Sequence, residues 1–236
     1  GACVNRPDDI ASNLRSLSGE RVLNLGYGGQ GTLSKYATLK EYFPGNVDTI
    51  LWFFSERSDL DDLKIEIKNE ILSNYFNNDN FYQNLVARQS YIDKIKNEHL
   101  ENIKPKKRRS QFKNIILLFN SRYLIKSIFF WKKEEVIADE FELIIKKVKE
   151  FSDKNNTKLI FVYLPEYLRF VSPNYNKNKF MKIKNIIKKN NIDFLDAVKL
   201  FKDTNDPLKY FPLRKSGQYN ELGYKSIAEF ILSNKQ

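Results

Sequence analysis

Four short runs of apolar residues along the chain predict β-strands. Residues 21–26 (RVLNLG) form a short run rich in valine and leucine. Residues 47–54 (VDTILWFF) are too dense in apolar side chains for a strand with one face in water, and residues 158–165 (KLIFVYLP) form a similar run that a proline ends. Residues 191–196 (NIDFLD) form a shorter fourth run. The pattern therefore predicts a sheet whose central strands are covered on both faces.

Helical patterns lie between these runs. Pro7, Asp8 and Asp9 precede the apolar periodicity of IASNLRSL, and proline and acidic residues suit the first turn of a helix; Gly19 predicts its end. The glycine turn at 27–31 (YGGQG) leads into a second helical pattern at 33–42. Because strands that alternate with helices are typical of parallel crossovers, we expect one α/β domain over 1–236.

A long helical insertion is predicted at about 60–156, which is more chain than a simple crossover needs. Its centre joins a basic cluster to an amphipathic stretch at 114–133, the combination that interfacial helices use on anionic membranes. The alternative is a helix packed on the domain with a solvated basic face. The residues predicted to meet an anionic surface are Lys104, Lys106, Lys107, Arg108 and Arg109.

The net charge agrees with such a partner but does not identify it. The chain has 40 Lys and Arg residues against 29 Asp and Glu, for a formal charge of +11, which favours anionic lipid, acidic polysaccharide or nucleic acid. Abundant Lys, Asn and Ile also fit an AT-rich coding bias. Nucleic acid is the least favoured partner, because the aromatic residues near the basic cluster are not spaced as a base-stacking platform.

The compartment is left open by the sequence. No apolar run reaches the roughly 20 residues that a membrane span needs, so we expect a soluble or peripheral chain. The start, GACVNRPDD, lacks the pattern of a signal peptide. Cys3 is the only cysteine, which excludes an internal disulfide. A bacterial periplasmic or membrane-associated setting is slightly favoured over the cytoplasm.

Candidate chemistry is limited by a single histidine, His99, which lies in a charged helical stretch and is interpreted as a surface residue. Ser34 and Ser55 are possible nucleophiles only because they lie near strand ends, where ligands bind in such sheets. No cluster of His, Asp and Glu has metal-ligand spacing, and GYGGQG is not followed by the Lys-Ser/Thr of a phosphate loop. We therefore expect no metal and no cofactor.

Three segments, taken together and in order, resemble the sequence blocks of the SGNH/GDSL family of ester hydrolases and acyltransferases. They are residues 22–42 (VLNLGYGGQGTLSKYATLKEY), 50–63 (ILWFFSERSDLDDL) and 216–231 (SGQYNELGYKSIAEFI). The resemblance implies a three-layer, flavodoxin-like parallel sheet flanked by helices. The family's Gly-Asp-Ser block, with its nucleophile, would lie upstream of Gly1.

The first two segments would supply oxyanion donors. The resemblance implies that Gly28 or Gly29 gives a backbone N–H, since glycine lets the backbone approach a substrate carbonyl closely. Ser58 stands where the family has an asparagine that donates from its side chain, and Asp59 follows it as a candidate binding residue. A serine hydroxyl can donate one hydrogen bond, but its side chain is shorter than that of asparagine.

The third segment departs from the family at its catalytic histidine, whose place is held by Gln218. A glutamine can orient a group or a water, but it has no pKa near neutrality and cannot take the proton of a serine. Asn220 would brace the closing turn, and Tyr219 between them is a candidate binding residue.

The resemblance implies an esterase or a polysaccharide O-acyltransferase that acts on ester bonds in an acylated small molecule or glycan, with doubtful activity in this form. One alternative is a non-catalytic relative that binds a glycan or an acyl chain. Another is a basic protein of membrane surfaces or nucleic acid, which would use the cluster at 104–109.

Overall fold

The computed structural model describes residues 4–102, 139–173, 175, 177–215 and 218–235. The chain divides into two compact units, one made of Gly1–Phe81 with Ile137–Gln236, and the other of Tyr82–Val136. The first unit contains a sheet of three parallel strands with helices on both faces. The predicted α/β class with a parallel sheet is therefore confirmed.

The bounds of the described elements follow the chain. The strands are β1 (Thr49–Ser55), β2 (Lys158–Leu164) and β3 (Asp193–Asp196). The helices are α1 (Ile10–Ser18), α2 (Thr32–Tyr42), α3 (Asp59–Glu66), α4 (Glu70–Asn77), α5 (Gln89–Asn102), α6 (Asp139–Lys154), α7 (Leu168–Val171), α8 (Asn178–Lys189), α9 (Ala197–Lys202) and α10 (Glu221–Ser233). Two short 3₁₀ helices, Pro207–Tyr210 and Pro212–Arg214, precede α10.

The sheet has the order β1-β2-β3 with both pairs parallel, and Val162 of β2 lies between Phe53 of β1 and Leu195 of β3. The central strand β2 is buried along most of its length, which explains its unbroken apolar sequence. Three of the four predicted strands therefore form.

The prediction of a strand at 21–26 is wrong, because the structure has no regular element there. The guanidinium of Arg15 donates to the carbonyl of Val22 at 2.9 Å from Nε and 2.6 Å from Nη2, and the side chain of Leu23 is 60% exposed. The run therefore has neither a strand partner nor a buried face, although its composition suits a strand.

The apolar core lies on the two faces of the sheet. On one face, Phe54 and Phe161 stack at 5.6 Å between ring centroids, under helices α2, α3, α6 and α8. On the other face, Ile160 and Val162 pack with residues of α1, α9 and α10. Burying one such side chain contributes about 1.5–3 kcal/mol, so these two layers hold the strand ends in place.

Helix α1 ends where the sequence predicts, but it begins at Ile10, so that Pro7 and Asp8 precede the helix and Asp9 is its N-cap. The carboxylate of Asp9 accepts the backbone N–H groups of Ala11 at 3.1 Å and Ser12 at 3.2 Å, which satisfies free donors of the first turn. Gly19 ends the helix in the left-handed region, with φ of 71°.

Of the second unit, the structure describes residues 82–102, which include α5. The predicted surface helix around His99 falls within α5. The predicted basic cluster (Lys104, Lys106, Lys107, Arg108 and Arg109) and the amphipathic stretch at 114–133 lie outside the described residues, as does Cys3. Within the described part of the chain, no helix is long and apolar enough to cross a membrane.

Candidate functional site at the carboxyl edge of the sheet

The carboxyl ends of parallel strands meet at one edge of a sheet, which is where ligands bind in open α/β folds. Residues 56–59 follow β1 at this edge, residues 165–169 follow β2, and Asp196 ends β3. Ser58 and Asp59, which follow β1, therefore lie at this edge.

A buried ion pair fastens the ends of β1 and β2 together. Glu56 is fully buried and forms a two-pronged pair with Arg169, whose Nε lies 2.8 Å from Oε2 while its Nη2 donates to Oε1. The same carboxylate accepts the hydroxyl of Tyr163 at 2.6 Å and the backbone N–H of Glu166 at 3.1 Å. Burial alone would lower the pKa of Arg169, but the Glu56 carboxylate raises it above its ordinary value.

The backbone of Glu56 is fixed as well. Its N–H donates to the carbonyl of Leu164 at 3.0 Å, and its own carbonyl accepts the ammonium of Lys179 at 2.7 Å. The turn that carries Ser58 is thus held by the backbone hydrogen bond to Leu164 and by the side chain of Lys179. Glu56 was missed at the level of sequence, although a charged residue directly after an apolar strand was a signal that could have found it.

Glu166 is a second carboxyl at this edge, and its direct side-chain partner is a hydroxyl. Tyr175 donates to Oε1 of Glu166 at 2.8 Å, and the ring of Tyr175 lies 4.9 Å from the guanidinium carbon of Arg169. Burial raises the pKa of Glu166 above its ordinary value, and the hydrogen bond from Tyr175 offsets this in part. Glu166 was also missed by sequence reasoning.

The carboxylate of Asp59, a predicted binding residue, already forms an ion pair within the protein. Asp59 is 2% exposed and pairs with Lys35 of α2, and Lys35 also donates to the carbonyl of Phe53 at 3.0 Å. Burial raises the pKa of Asp59, while Lys35 lowers it. The pair ties α2 to the end of β1. The adjacent Ser58 precedes α3, and its side chain makes no capping hydrogen bond with that helix.

Gly28 and Gly29 lie in the turn before α2, and both are exposed. Gly29 has φ of 83°, a left-handed conformation that favours glycine. A Cβ atom built on either residue would have no atom within 4 Å, so neither glycine makes the close backbone approach that the resemblance implies. Among the described residues, no hydrogen bond joins these two glycines to Gln218 or to Ser58.

The close approach expected of a glycine in this turn is made instead by Gly31. A Cβ on Gly31 would lie 2.6 Å from a carboxylate oxygen of Glu66. Glu66 accepts the N–H groups of Gly31 at 2.6 Å, Leu33 at 3.0 Å and Ser34 at 3.2 Å. The carboxylate of Glu66 therefore occupies the positive N-terminus of α2, where an anionic ligand could otherwise bind.

The closing block is anchored to the end of β2. Tyr219 is buried, and its hydroxyl donates to the carbonyl of Pro165. Asn220 caps α10 by accepting the N–H of Gly223 at 2.9 Å, and its amide donates to the carbonyl of Lys209 at 2.8 Å.

Gln218, immediately before this anchor, is exposed. Its Oε1 accepts the hydroxyl of Tyr224 at 3.2 Å. The amide NH₂ of Gln218 can therefore donate to a ligand, and its oxygen keeps a second lone pair that can accept.

The chemistry of this edge follows from these contacts. Four carboxylates at or near it have partners that fix them as structural groups: Glu56 with Arg169, Asp59 with Lys35, Glu66 with the amides of α2, and Asp196 with the N–H of Val198 at 3.0 Å. Exposed donors remain at the backbone of Gly28 and Gly29 and at Gln218. Arg57 is a further exposed donor at this edge, so the arrangement can meet acceptor groups such as ester carbonyls and sugar hydroxyls.

In the described residues, no group of three or more His, Cys, Asp or Glu side chains could hold a metal ion. Comparisons with family models, with curated proteins and with solved structures gave no match to this chain.

Proposed function

We propose that the chain is an SGNH-like protein, related to esterases and polysaccharide O-acyltransferases, that binds an acylated glycan or small ester at the carboxyl edge of its sheet without efficient turnover. The proposal is supported by the order of the three sequence blocks, by the place of Ser58 just after β1, and by the contact of Tyr219 with Pro165 just after β2. The fold class agrees with it at the level of a parallel α/β sheet.

The observation that carries the proposal is the environment of Gln218. Its neighbours Tyr219 and Asn220 are both fixed, by Pro165 and by the cap of α10, so the side chain is presented from a rigid turn. An amide in this position can donate to an ester carbonyl or a sugar hydroxyl. It cannot accept the proton of a nucleophile, a step that contributes about 10²–10⁴-fold in enzymes with a general base.

The carboxylates of the edge support binding rather than catalysis. A carboxylate that is paired with a buried guanidinium or ammonium is committed to that partner, because breaking the pair would leave a buried cation without a counter-ion. Glu56 and Asp59 are both held in this way. Their contacts keep the edge rigid, which lowers the entropic cost of ordering a ligand there.

Hydrolysis of p-nitrophenyl acetate by the purified full-length protein tests the proposal. The unaltered protein is compared with a Gln218→His, Ser58→Asn variant. The matched control is Gln89→His, which makes the same change on the exposed surface of α5. We expect no steady turnover by the unaltered protein or the control, and a gain on the order of a hundredfold or more for the double variant.

Steady turnover by the unaltered protein would overturn the proposed lack of catalysis. A silent double variant that is folded, as judged by circular dichroism, would contradict the SGNH resemblance itself. The two parts of the proposal are thus separated by one set of proteins.

A further inference from the structure

A cleft of about 320 Å³ lies along β3, away from Gln218. It is lined by Phe194 and Asp196 of β3, and by residues of α8, α9 and α10. Lys184 and Lys188 are four residues apart on α8 and therefore lie on the same side of that helix. Lys199 of α9 completes the basic lining.

The lining combines aromatic surface with an excess of positive charge. Phe194 and Phe230 provide the two rings, and three lysines face one carboxylate, that of Asp196, which leaves an excess of two positive charges. The Nζ atom of Lys184 lies 5.8 Å from the centroid of the Phe194 ring. One ammonium is therefore placed beside the aromatic wall.

These ammonium groups lack the carboxylate partners that nearby lysines have. Lys189 pairs with Glu142 at 2.6 Å, and Lys158 with Asp193 at 3.3 Å. Among the described residues, no carboxylate oxygen lies within ion-pair distance of Lys184, Lys188 or Lys199. Three cations around one cleft repel each other, and an anion bound between them would relieve that repulsion.

We propose that this cleft binds a small amphipathic dianion, namely a phosphate monoester of an aromatic or apolar group. The phosphate would take the excess of two positive charges, and the apolar group would lie against Phe194 and Phe230. The volume agrees with a ligand of this size, at the lower end of the range for small-molecule sites. The inference does not rest on ester binding at Gln218.

Lysines beside a strand at the edge of a sheet also have a known protective role, since they prevent the strand from pairing with another molecule. Within the described residues β3 pairs with β2 alone, so this role applies to β3. The two explanations differ in their consequences. Protection needs the charge alone, whereas ligand binding also needs the rings and is saturable.

The test is a calorimetric titration of the full chain with phenyl phosphate, inorganic phosphate and benzyl alcohol as probes. The cleft variant is Lys184→Gln, Lys199→Gln. The matched control is Lys182→Gln, Lys202→Gln, which removes the same charge from exposed positions on the same two helices. Circular dichroism and thermal unfolding establish that both variants fold.

We expect saturable binding of phenyl phosphate, about tenfold weaker binding of inorganic phosphate, and none of benzyl alcohol. The cleft variant should lose at least tenfold in affinity for phenyl phosphate, since it loses charge-assisted contacts, and the control should lose less than threefold. Equal losses in both variants would overturn the proposal in favour of non-specific attraction to a basic surface. Absence of saturable binding, with self-association of the cleft variant alone, would show that the lysines only protect the strand.

Discussion

The buried pair of Glu56 and Arg169 gives the sharpest test of how the carboxyl edge is held. The change Glu56→Gln keeps the size of the side chain but removes its charge. The Arg169 side chain is 3% exposed, so it would remain a buried cation without a counter-ion. Removal of one partner of a buried pair costs about 3–5 kcal/mol, a large share of the roughly 5–15 kcal/mol that stabilises a typical domain.

The amide cannot replace all of the lost contacts. The carboxylate of Glu56 accepts two bonds from Arg169, one from Tyr163 and one from the backbone of Glu166. A glutamine has one acceptor oxygen, and its NH₂ group would face a donor. We therefore expect a loss of about 3 kcal/mol or more in the free energy of unfolding.

The assay is urea unfolding followed by circular dichroism, at low and at high salt. The loss should change little with salt, because the pair is shielded from solvent ions. Glu229→Gln, an exposed position on α10, is the matched control and should change the free energy by less than about 0.5 kcal/mol. A loss below about 1 kcal/mol for Glu56→Gln, or one that high salt removes, would refute the reasoning.

Three further predictions concern other contacts of the same edge. Glu66→Ala leaves amides of α2 without their acceptor, so the Ser34 amide should exchange its hydrogen at least about tenfold faster; unchanged protection would contradict the capping contact. Glu166→Gln removes a carboxyl whose pKa is raised in the folded state. Such a group binds more protons folded than unfolded, so it makes the protein less stable as the pH rises above about 4.5, its ordinary value. The free energy of unfolding of both proteins is measured in urea at several pH values. As the pH rises above about 4.5, that of Glu166→Gln should increase relative to that of the unaltered protein. A difference that does not change with pH would count against the buried position of Glu166. Asn220→Ala should lower the free energy of unfolding by about 1 kcal/mol, because it removes the cap of α10 and the donor to Lys209; an unchanged unfolding midpoint would contradict this role of Asn220.

The strands of the sheet could largely be predicted because their signal is local. β2 is a continuous apolar run that is buried along most of its length, as the pattern indicates. β1 has a similar run and was predicted to be a central strand, but it lies at the end of the described strand order, and only Trp52 and Phe54 within it are buried. The run at 21–26 has a similar composition but is not a strand. Its carbonyl at Val22 is taken by Arg15, a contact that composition does not encode.

The contacts of the candidate site could not be predicted, because they join residues far apart in the chain. Glu56 and Arg169 are 113 positions apart, and Glu66 meets Gly31 across 35 positions. The order of motifs indicated where Gln218 lies relative to its turn. Its hydrogen bond with Tyr224 could be seen only in the fold.

The most direct test of the central claim observes binding and turnover in one sample. An O-acetylated disaccharide is mixed with the protein, and proton NMR follows both saturation transfer to the acetyl methyl group and the appearance of free acetate. We predict saturation transfer with no acetate beyond the buffer rate, and weaker transfer for Gln218→Ala. Accumulation of acetate over many turnovers, or no saturation transfer with the unaltered protein, would contradict the claim that this edge binds an ester without efficient turnover.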